Sequence, residues 1–242
     1  PQIVKEKHVE ISQFTLKDII RQTVFSISDN ENTKVMTGEL FEITDNKLKV
    51  VSLDGHRISI RNVELNNSYD NISVIIPGKT LIEINKILNG GVDDIVKIYF
   101  TDKHILFEFE NTVVLSRLIE GEYYKIDKML SSDYETKITV NKKEMLDSID
   151  RTTLLMKESE KKPVIIDIKD NSMGLAMNSS IGSMDEEIDA VKEGKDILIG
   201  FNPRFLIDAL RVIDDEEITL YMINPKAPCF IRDKDESYIL SL

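Results

Sequence analysis

The sequence predicts an α+β fold built from two tandem copies of one domain, and two observations carry that reading. The first is a self-match. Pro77-Gly78-Lys79-Thr80-Leu81-Ile82-Glu83-Ile84 reappears 126 positions further on as Pro203-Arg204-Phe205-Leu206-Ile207-Asp208-Ala209-Leu210. Phe14–Ile19 aligns in the same way with Val140–Met145, and, at an offset of 125, Ile43-Thr44-Asp45-Asn46 aligns with Ile168-Lys169-Asp170-Asn171. Such a period is too long for a solenoid repeat of a few tens of residues and is about the length of one compact domain. The second observation is that each copy switches between helical and strand periodicity, which sets helices beside antiparallel sheet. With 242 residues and 41% hydrophobic content, the chain can fill two ordinary cores.

The elements follow in order. Leu16, Ile19, Ile20, Thr23, Val24 and Ile27 fall on one helical stripe, with Lys17, Arg21 and Gln22 opposite. Thr15 followed by Asp18 has the spacing of a capping box, in which a hydroxyl accepts a free first-turn amide and a carboxylate reaches back. The matching helix of the second copy begins at Asn141 and Glu144 and sets Met145, Ile149, Thr152 and Met156 on its core face. Leu40–Ile43, Asp45-Asn46 and Leu48–Val51 read as strand, tight turn, strand, and Arg57–Leu65 as a further alternating run. A second unit then repeats the plan: a strand over Ser73–Ile76, a helix over Gly78–Leu88 closed near Asn89-Gly90-Gly91, and strands over Ile95–Phe100, Ile105–Phe109 and Val113–Leu118. Asn202 and Pro203 stand where a cap and a first helical residue are favoured. Each domain is therefore strand–helix–three strands, used twice. The expected domains are 1–132 and 133–242, with the junction near Ser131-Ser132-Asp133-Tyr134-Glu135.

Composition narrows the function classes. Cys229 is the only cysteine, so an intramolecular disulfide is excluded and a reducing, intracellular home is expected. No secretory signal follows position 1, and the apolar runs are short and broken by charge, unlike a spanning helix. A formal net charge of −12 argues by itself against phosphate binding. A charge sum, however, does not say which face holds which sign.

Local signals are few. Leu53-Asp54-Gly55-His56-Arg57-Ile58 fits a glycine-permitted tight turn between strands. As a metal site it lacks a second His or Cys at ligand spacing, and as an enzyme site using Asp54, His56 and Arg57 it lacks a companion nucleophile. Asp214-Asp215-Glu216-Glu217 has no alternating oxygen-ligand pattern and reads as a solvated connection. Asn89-Gly90-Gly91 follows a helix, whereas a phosphate cradle precedes one. Lys17, Arg21, Lys79, Lys86, Arg204 and Arg211 sit on the polar sides of the four helices, where they serve either as solubilising charge or as phosphate contacts.

Three segments resemble the bacterial DNA polymerase III beta-subunit family, the replicative sliding clamps. Leu53–Ile58 resembles that family's Thr-Asp-Gly-His-Arg-Leu turn, and Ser116-Arg117-Leu118-Ile119-Glu120-Gly121 matches its Ser-Arg-Leu-Ile-Glu-Gly segment. Phe201–Leu210 is similar to its Phe-Asn-Pro-Arg-Tyr-Leu-Leu-Asp-Ala-Leu helix. The resemblance implies clamp-type domains equivalent to the family's second and third, with helices on the inner face of a ring and sheets outside. It places residue 1 at about the start of the second domain and the family's closing Met-Pro-Val-Arg-like tail beyond Leu242, so ring closure by these two domains alone is not expected.

The implied function is that of a processivity factor. A full-length head-to-tail homodimer encircles duplex DNA without reading sequence and tethers the replicative polymerase. Lys17, Arg21, Lys79, Lys86, Arg204 and Arg211 would then face DNA. A shared peptide-binding pocket would take Met36, Leu53, Gly55, His56, Arg57, Ile58, Tyr124, Met129, Asn202, Phe205 and Pro228. Its partners would be the polymerase catalytic subunit, the clamp loader, and repair and translesion polymerases, in the bacterial cytoplasm at the nucleoid. Where the family has aromatic-Pro, this chain has Tyr123-Tyr124. The resemblance calls for no catalytic residue, no cofactor and no metal. The alternatives are a DNA-independent interaction scaffold and an enzyme using Asp54, His56 and Arg57.

Overall fold

The computed structural model describes residues 7–130, 133–156, 162–232 and 236–240. The chain divides into two compact units, Pro1–Ile126 and Asp127–Leu242. Ser131 and Ser132, part of the expected junction, lie outside the described residues.

The first unit runs β1 (Val9–Ser12), α1 (Gln13–Thr23), β2 (Gly38–Leu53), β3 (Arg57–Pro77), α2 (Gly78–Ile87), β4 (Ile95–Phe100), β5 (His104–Phe109) and β6 (Thr112–Arg117). Strands β1-β4-β5-β6 form an antiparallel sheet in that order. β2 and β3 pair along their length, but the ladder shifts register on both sides of Asp45: 38–43 pair with 72–77, and 47–53 with 58–64. Asp45 itself adopts a left-handed backbone, φ 55°. The turn read from Asp45-Asn46 corresponds to this break.

The second unit runs β7 (Thr136–Asn141), α3 (Lys142–Thr153), β8 (Val164–Lys169), β9 (Ser172–Asn178), β10 (Ser183–Gly194), β11 (Ile197–Phe201), α4 (Pro203–Val212), β12 (Glu217–Met222), β13 (Cys229–Arg232) and β14 (Glu236–Leu240). It is strand–helix–three strands, twice. Its strands lie in the order β11-β8-β9-β10-β7-β12-β13-β14, each antiparallel to its neighbour. Asp170, the counterpart of Asp45, turns β8 into β9 with φ 48°.

Side chains end the helices in matching ways. Ser12 caps α1 by accepting the Thr15 amide at 3.0 Å, and Asn141 caps α3 by accepting the Glu144 amide at 3.0 Å. Thr15 is therefore not the cap. Its hydroxyl lies 2.7 Å from that of Ser12, while the Asp18 carboxylate is held by Arg21. The two caps stand 129 positions apart, so α1 and α3 correspond with a shift of three residues from the sequence self-match. Pro77 and Asn202, which precede α2 and α4, stand 125 apart, one fewer than the self-match gave. The connections after the first helix differ in length, which is why no single offset serves both copies.

Apolar burial holds each layer in place. Leu16, Ile19 and Ile20 of α1 and Leu81 and Ile84 of α2 pack with Phe41, Ile43, Ile98, Ile105 and Phe107 from the strands. In the second unit Met145 and Ile149 of α3 and Leu206 and Leu210 of α4 are equally buried, with Ile166, Leu175 and Leu220 from the strands. Each such side chain contributes about 1.5–3 kcal/mol. Thr23 and Thr152 close the two stripes, donating to the carbonyls of Ile19 (2.7 Å) and Ile149 (2.6 Å). Two expected positions differ. Gln22 is buried instead of lying on the polar face, and Met156 falls beyond the end of α3 and is half-buried.

The first core also encloses polar groups, among them Gln13, Thr23, Ser26, Glu39, Ser52 and Ser59. Most are partnered. Ser52 donates to Thr23 O at 2.5 Å, and the hydroxyls of Ser26 and Ser59 lie 2.6 Å apart. Gln13 accepts the Asn89 amide and donates to Glu110. Glu39 differs: it has no exposure, and neither carboxyl oxygen has a hydrogen-bond partner among the described residues. Burial pushes its pKa up from 4.5 to about 8, with Thr23 nearby offsetting part of the rise. An unpaired carboxylate in a core is costly, so the group holds its proton at neutral pH.

Two predictions follow from these contacts. Ser12→Ala removes the α1 cap and should lower stability by about 1 kcal/mol in urea denaturation; an unchanged midpoint would mean that water replaces the hydroxyl at no cost. The Glu39 prediction has a sign fixed by linkage. The folded state keeps a proton that the unfolded chain releases above 4.5, so the stability linked to it is full below that pH and is lost as pH rises through about 8. Glu39→Gln should therefore match wild type near pH 4.5 and exceed it by on the order of 3 kcal/mol near pH 7.5. A gain that does not grow with pH would show that Glu39 is already ionised or hydrated in the folded protein.

Candidate functional site

The turn between β2 and β3 is built around one carboxylate. Leu53 and Ile58 pair across the strand ends, and Gly55 takes φ 92°, a conformation that a side chain would strain. Asp54 Oδ1 accepts the amides of His56 (2.9 Å) and Arg57 (3.0 Å), and its Oδ2 accepts Arg57 Nε at 2.9 Å. The Arg57 guanidinium lies 5.4 Å from the centre of the Phe25 ring, a cation–π contact. Both charged side chains are largely covered, with exposures of 12% for Arg57 and 14% for Asp54, whereas the His56 side of the turn is exposed. The result is a rigid loop that presents His56 outward over a floor of buried Leu53 and Ile58.

The segment after β6 runs back to this turn. Ile119 bridges to Ile75 of β3 through an amide-to-carbonyl bond of 2.9 Å. Gly121 takes φ 136°, and a Cβ there would meet Val35 Cγ1 at 2.9 Å, so the chain passes close to the residue before Met36. The Tyr123 hydroxyl donates to Gly38 O at 3.3 Å and also meets the Leu53 backbone. Its pKa is pushed upward, by burial first and then by the charge of Glu39. Tyr124, the next residue, is half-exposed, and Met36 is partly buried, its carbonyl accepting the Ser28 amide.

The remaining pocket candidates belong to the second unit. Met129 ends a short 3-10 turn over Asp127–Met129 with 58% of its surface exposed, an apolar side chain offered to solvent. Asn202 caps α4, accepting the Arg204 amide at 3.0 Å, so this residue already has a structural role. Phe205 lies half-buried in the first turn of α4, and Pro228 is exposed on the connection between β12 and β13. The structure thus brings together Leu53, Gly55, His56, Arg57, Ile58 and the Tyr123-Tyr124 segment in one unit, and Asn202 with Phe205 in the other.

The candidate cations are all on helices, but most are engaged. Lys17 is half-buried and donates to Leu88 O at 2.7 Å, the carbonyl just past α2. The second unit repeats the device with Lys142, which donates to Ile213 O, the carbonyl just past α4. Arg21 pairs with Asp18, Lys79 with Glu31 at 3.6 Å, Lys86 with Glu83 at 2.8 Å, and Arg211 with Asp150 at 3.2 Å. Lys79, Lys86, Arg204 and Arg211 are exposed and lie clear of the cores.

Sequence reasoning missed Phe25, Glu39 and Tyr123. An acid in an otherwise apolar strand, Gly38-Glu39-Leu40-Phe41, was the one available signal for Glu39. Phe25 and Tyr123 become visible only once the turn is folded. Among the described residues, no cluster of His, Cys, Asp and Glu could hold a metal ion, and no helix is long and apolar enough to cross a membrane.

Comparison with known proteins covers the whole chain. Residues 10–125 match the central domain of the DNA polymerase III beta subunit, and residues 127–242 match its C-terminal domain. The beta sliding clamp of Staphylococcus aureus is 33% identical over 244 residues, covering 100% of this chain; the chain spans 64% of the length of that relative. A structure from Eubacterium rectale, described as a DNA polymerase III beta subunit, is 63% identical with a TM-score of 0.97, covering 100% of this chain and 66% of that one. The Bacillus subtilis DNA polymerase sliding clamp is 33% identical with a TM-score of 0.96, covering 100% and 65%. With both of its units matched in order and nearly end to end, the chain belongs to the DNA polymerase III beta-subunit family.

Proposed function

We propose that this chain works as part of a sliding clamp, a non-catalytic processivity factor that holds a replicative polymerase on duplex DNA. The observation that carries this reading is the match of both units, in order, to the central and C-terminal domains of the beta subunit. The domain plan 1–132 and 133–242 sets the junction six residues past the break between the compact units at Ile126 and Asp127. Full-length protomers close head to tail as a homodimer, with helices facing the hole and sheets outside.

The chemistry of the named residues supports tethering over turnover. Both Asp54 oxygens are spent on the turn, so Asp54 does not act as a base toward His56. What the turn presents is a surface: a covered apolar floor of Leu53 and Ile58, the His56 rim and the fixed Arg57 guanidinium. The residues proposed to take a short linear peptide are this turn with Met36, Gly55 and Tyr124 in the first unit and Met129, Asn202, Phe205 and Pro228 in the second, apolar anchors supplying affinity and a few polar groups fixing register. A methionine at Met129 adapts to partners of different shape, which suits a site shared by the polymerase, the clamp loader, and repair and translesion polymerases. Binding raises the effective concentration of polymerase at the primer end.

Toward DNA, Lys79, Lys86, Arg204 and Arg211 are the exposed cations, with Lys17 and Arg21 behind them. Acidic partners such as Glu31, Glu83 and Asp150 compete with phosphate for these cations and keep each contact weak. Weak, sequence-blind contacts are what a ring that must slide requires.

Met129→Glu tests the pocket. A charged residue in place of an exposed apolar anchor should weaken binding of a fluorescent peptide from a polymerase's clamp-binding segment at least tenfold, about 1.4 kcal/mol, with melting unchanged. Equal affinities for two folded proteins would remove Met129 from the site.

A further inference from the structure

Neither Glu39 nor Tyr123 is among the residues proposed to touch the peptide. Glu39 follows Gly38, whose carbonyl accepts the Tyr123 hydroxyl, at the start of the strand that ends in Leu53 and the Asp54 turn. Tyr123 also meets the Leu53 backbone, so one phenol joins both ends of β2 to the segment that carries Tyr124. Thr23 from α1 is the group beside Glu39, and a charge on Glu39 is felt by Tyr123 from the segment after Gly121. Thr23 donates its hydroxyl proton to Ile19 O and offsets the cost of a charge at Glu39 only in part, and Ser52 of β2 donates to Thr23 O. A charge formed at Glu39 would have to be hydrated, and water would enter where β2 meets the Tyr123 phenol.

We propose that Glu39 is a positioning residue for the peptide groove: as a neutral acid it keeps the contact between Tyr123 and β2 dry, and its ionisation releases Tyr123-Tyr124 and weakens peptide binding. This rests on the peptide-binding reading above. Only the neutral form is binding-competent, and half of the sites ionise near pH 8. Apparent affinity should therefore fall about tenfold between pH 7 and pH 9, the loss expected when the competent fraction falls by that factor.

The test has two readouts on the intact chain, across a series from about pH 6.5 to 9. One is titration of the fluorescent polymerase peptide. The other, which needs no ligand, is amide hydrogen-exchange protection of residues 119–126, corrected for the intrinsic pH dependence of exchange. Wild type should lose peptide affinity and protection together as pH rises. Glu39→Gln, which stays neutral, should be flat in both. Tyr123→Phe, which keeps the ring and loses the hydroxyl, should show low protection and weak binding at every pH. If protection follows this pattern but no variant binds the peptide at any pH, the hold of Glu39 on the Tyr123 contact stands and the groove reading falls. If wild type is flat, or if Glu39→Gln follows the wild-type profile in protection, the proposal is overturned, whatever the peptide does.

Discussion

The helices of this protein cannot stand alone, and most of its architecture follows from that. They are 11, 10, 12 and 10 residues long, below the length at which an isolated helix persists in water. Each is held by one apolar stripe on an antiparallel sheet and by side chains that close its ends. Ser12, Asn141 and Asn202 satisfy amides at three starts, and Lys17 and Lys142 reach from the first helix of each unit to the carbonyl that ends the second. A lysine at a helix C-terminus also meets the negative end of the dipole. Because one face is committed to the sheet, charged residues gather on the opposite faces, beside exposed apolar residues such as Phe14 and Ile87. On those faces stand the cations proposed to meet DNA.

The fold was largely legible in the sequence, because its signals are periodic and local. Strand alternation at Ile95–Phe100 and the Asn202-Pro203 start of α4 survive folding unchanged. The errors came from longer-range effects. A Thr15–Asp18 capping box looked sound until Ser12 supplied the cap from the strand before it. Gln22 looked like surface until the packing of α1 enclosed it. The self-match of 126 positions stands between two true offsets, 129 at the first helices and 125 at the second, because the connections after the first helices differ in length.

The site was legible in a different way. The Asp-Gly-His-Arg run states its own geometry, since glycine permits the left-handed residue and aspartate accepts the amides that follow. Nothing in that run reveals that Phe25 lies under Arg57, or that Tyr123 reaches back to Gly38. These contacts join residues tens of positions apart, and they decide whether the turn is rigid. Lys17 shows the opposite case: read as a DNA contact, it is also a helix cap, so its charge is partly spent inside the fold.

Under the proposed function, one linear peptide engages residues of both units, the Asp54–Arg57 turn among them. The most direct measurement is chemical-shift mapping on isotopically labelled chain during titration with the polymerase peptide. The account predicts that Leu53, His56, Arg57, Ile58 and Tyr124 shift together with Met129, Asn202 and Phe205, all saturating at the same peptide concentration. Shifts confined to one unit, or centred on strands β8 to β10, would contradict it.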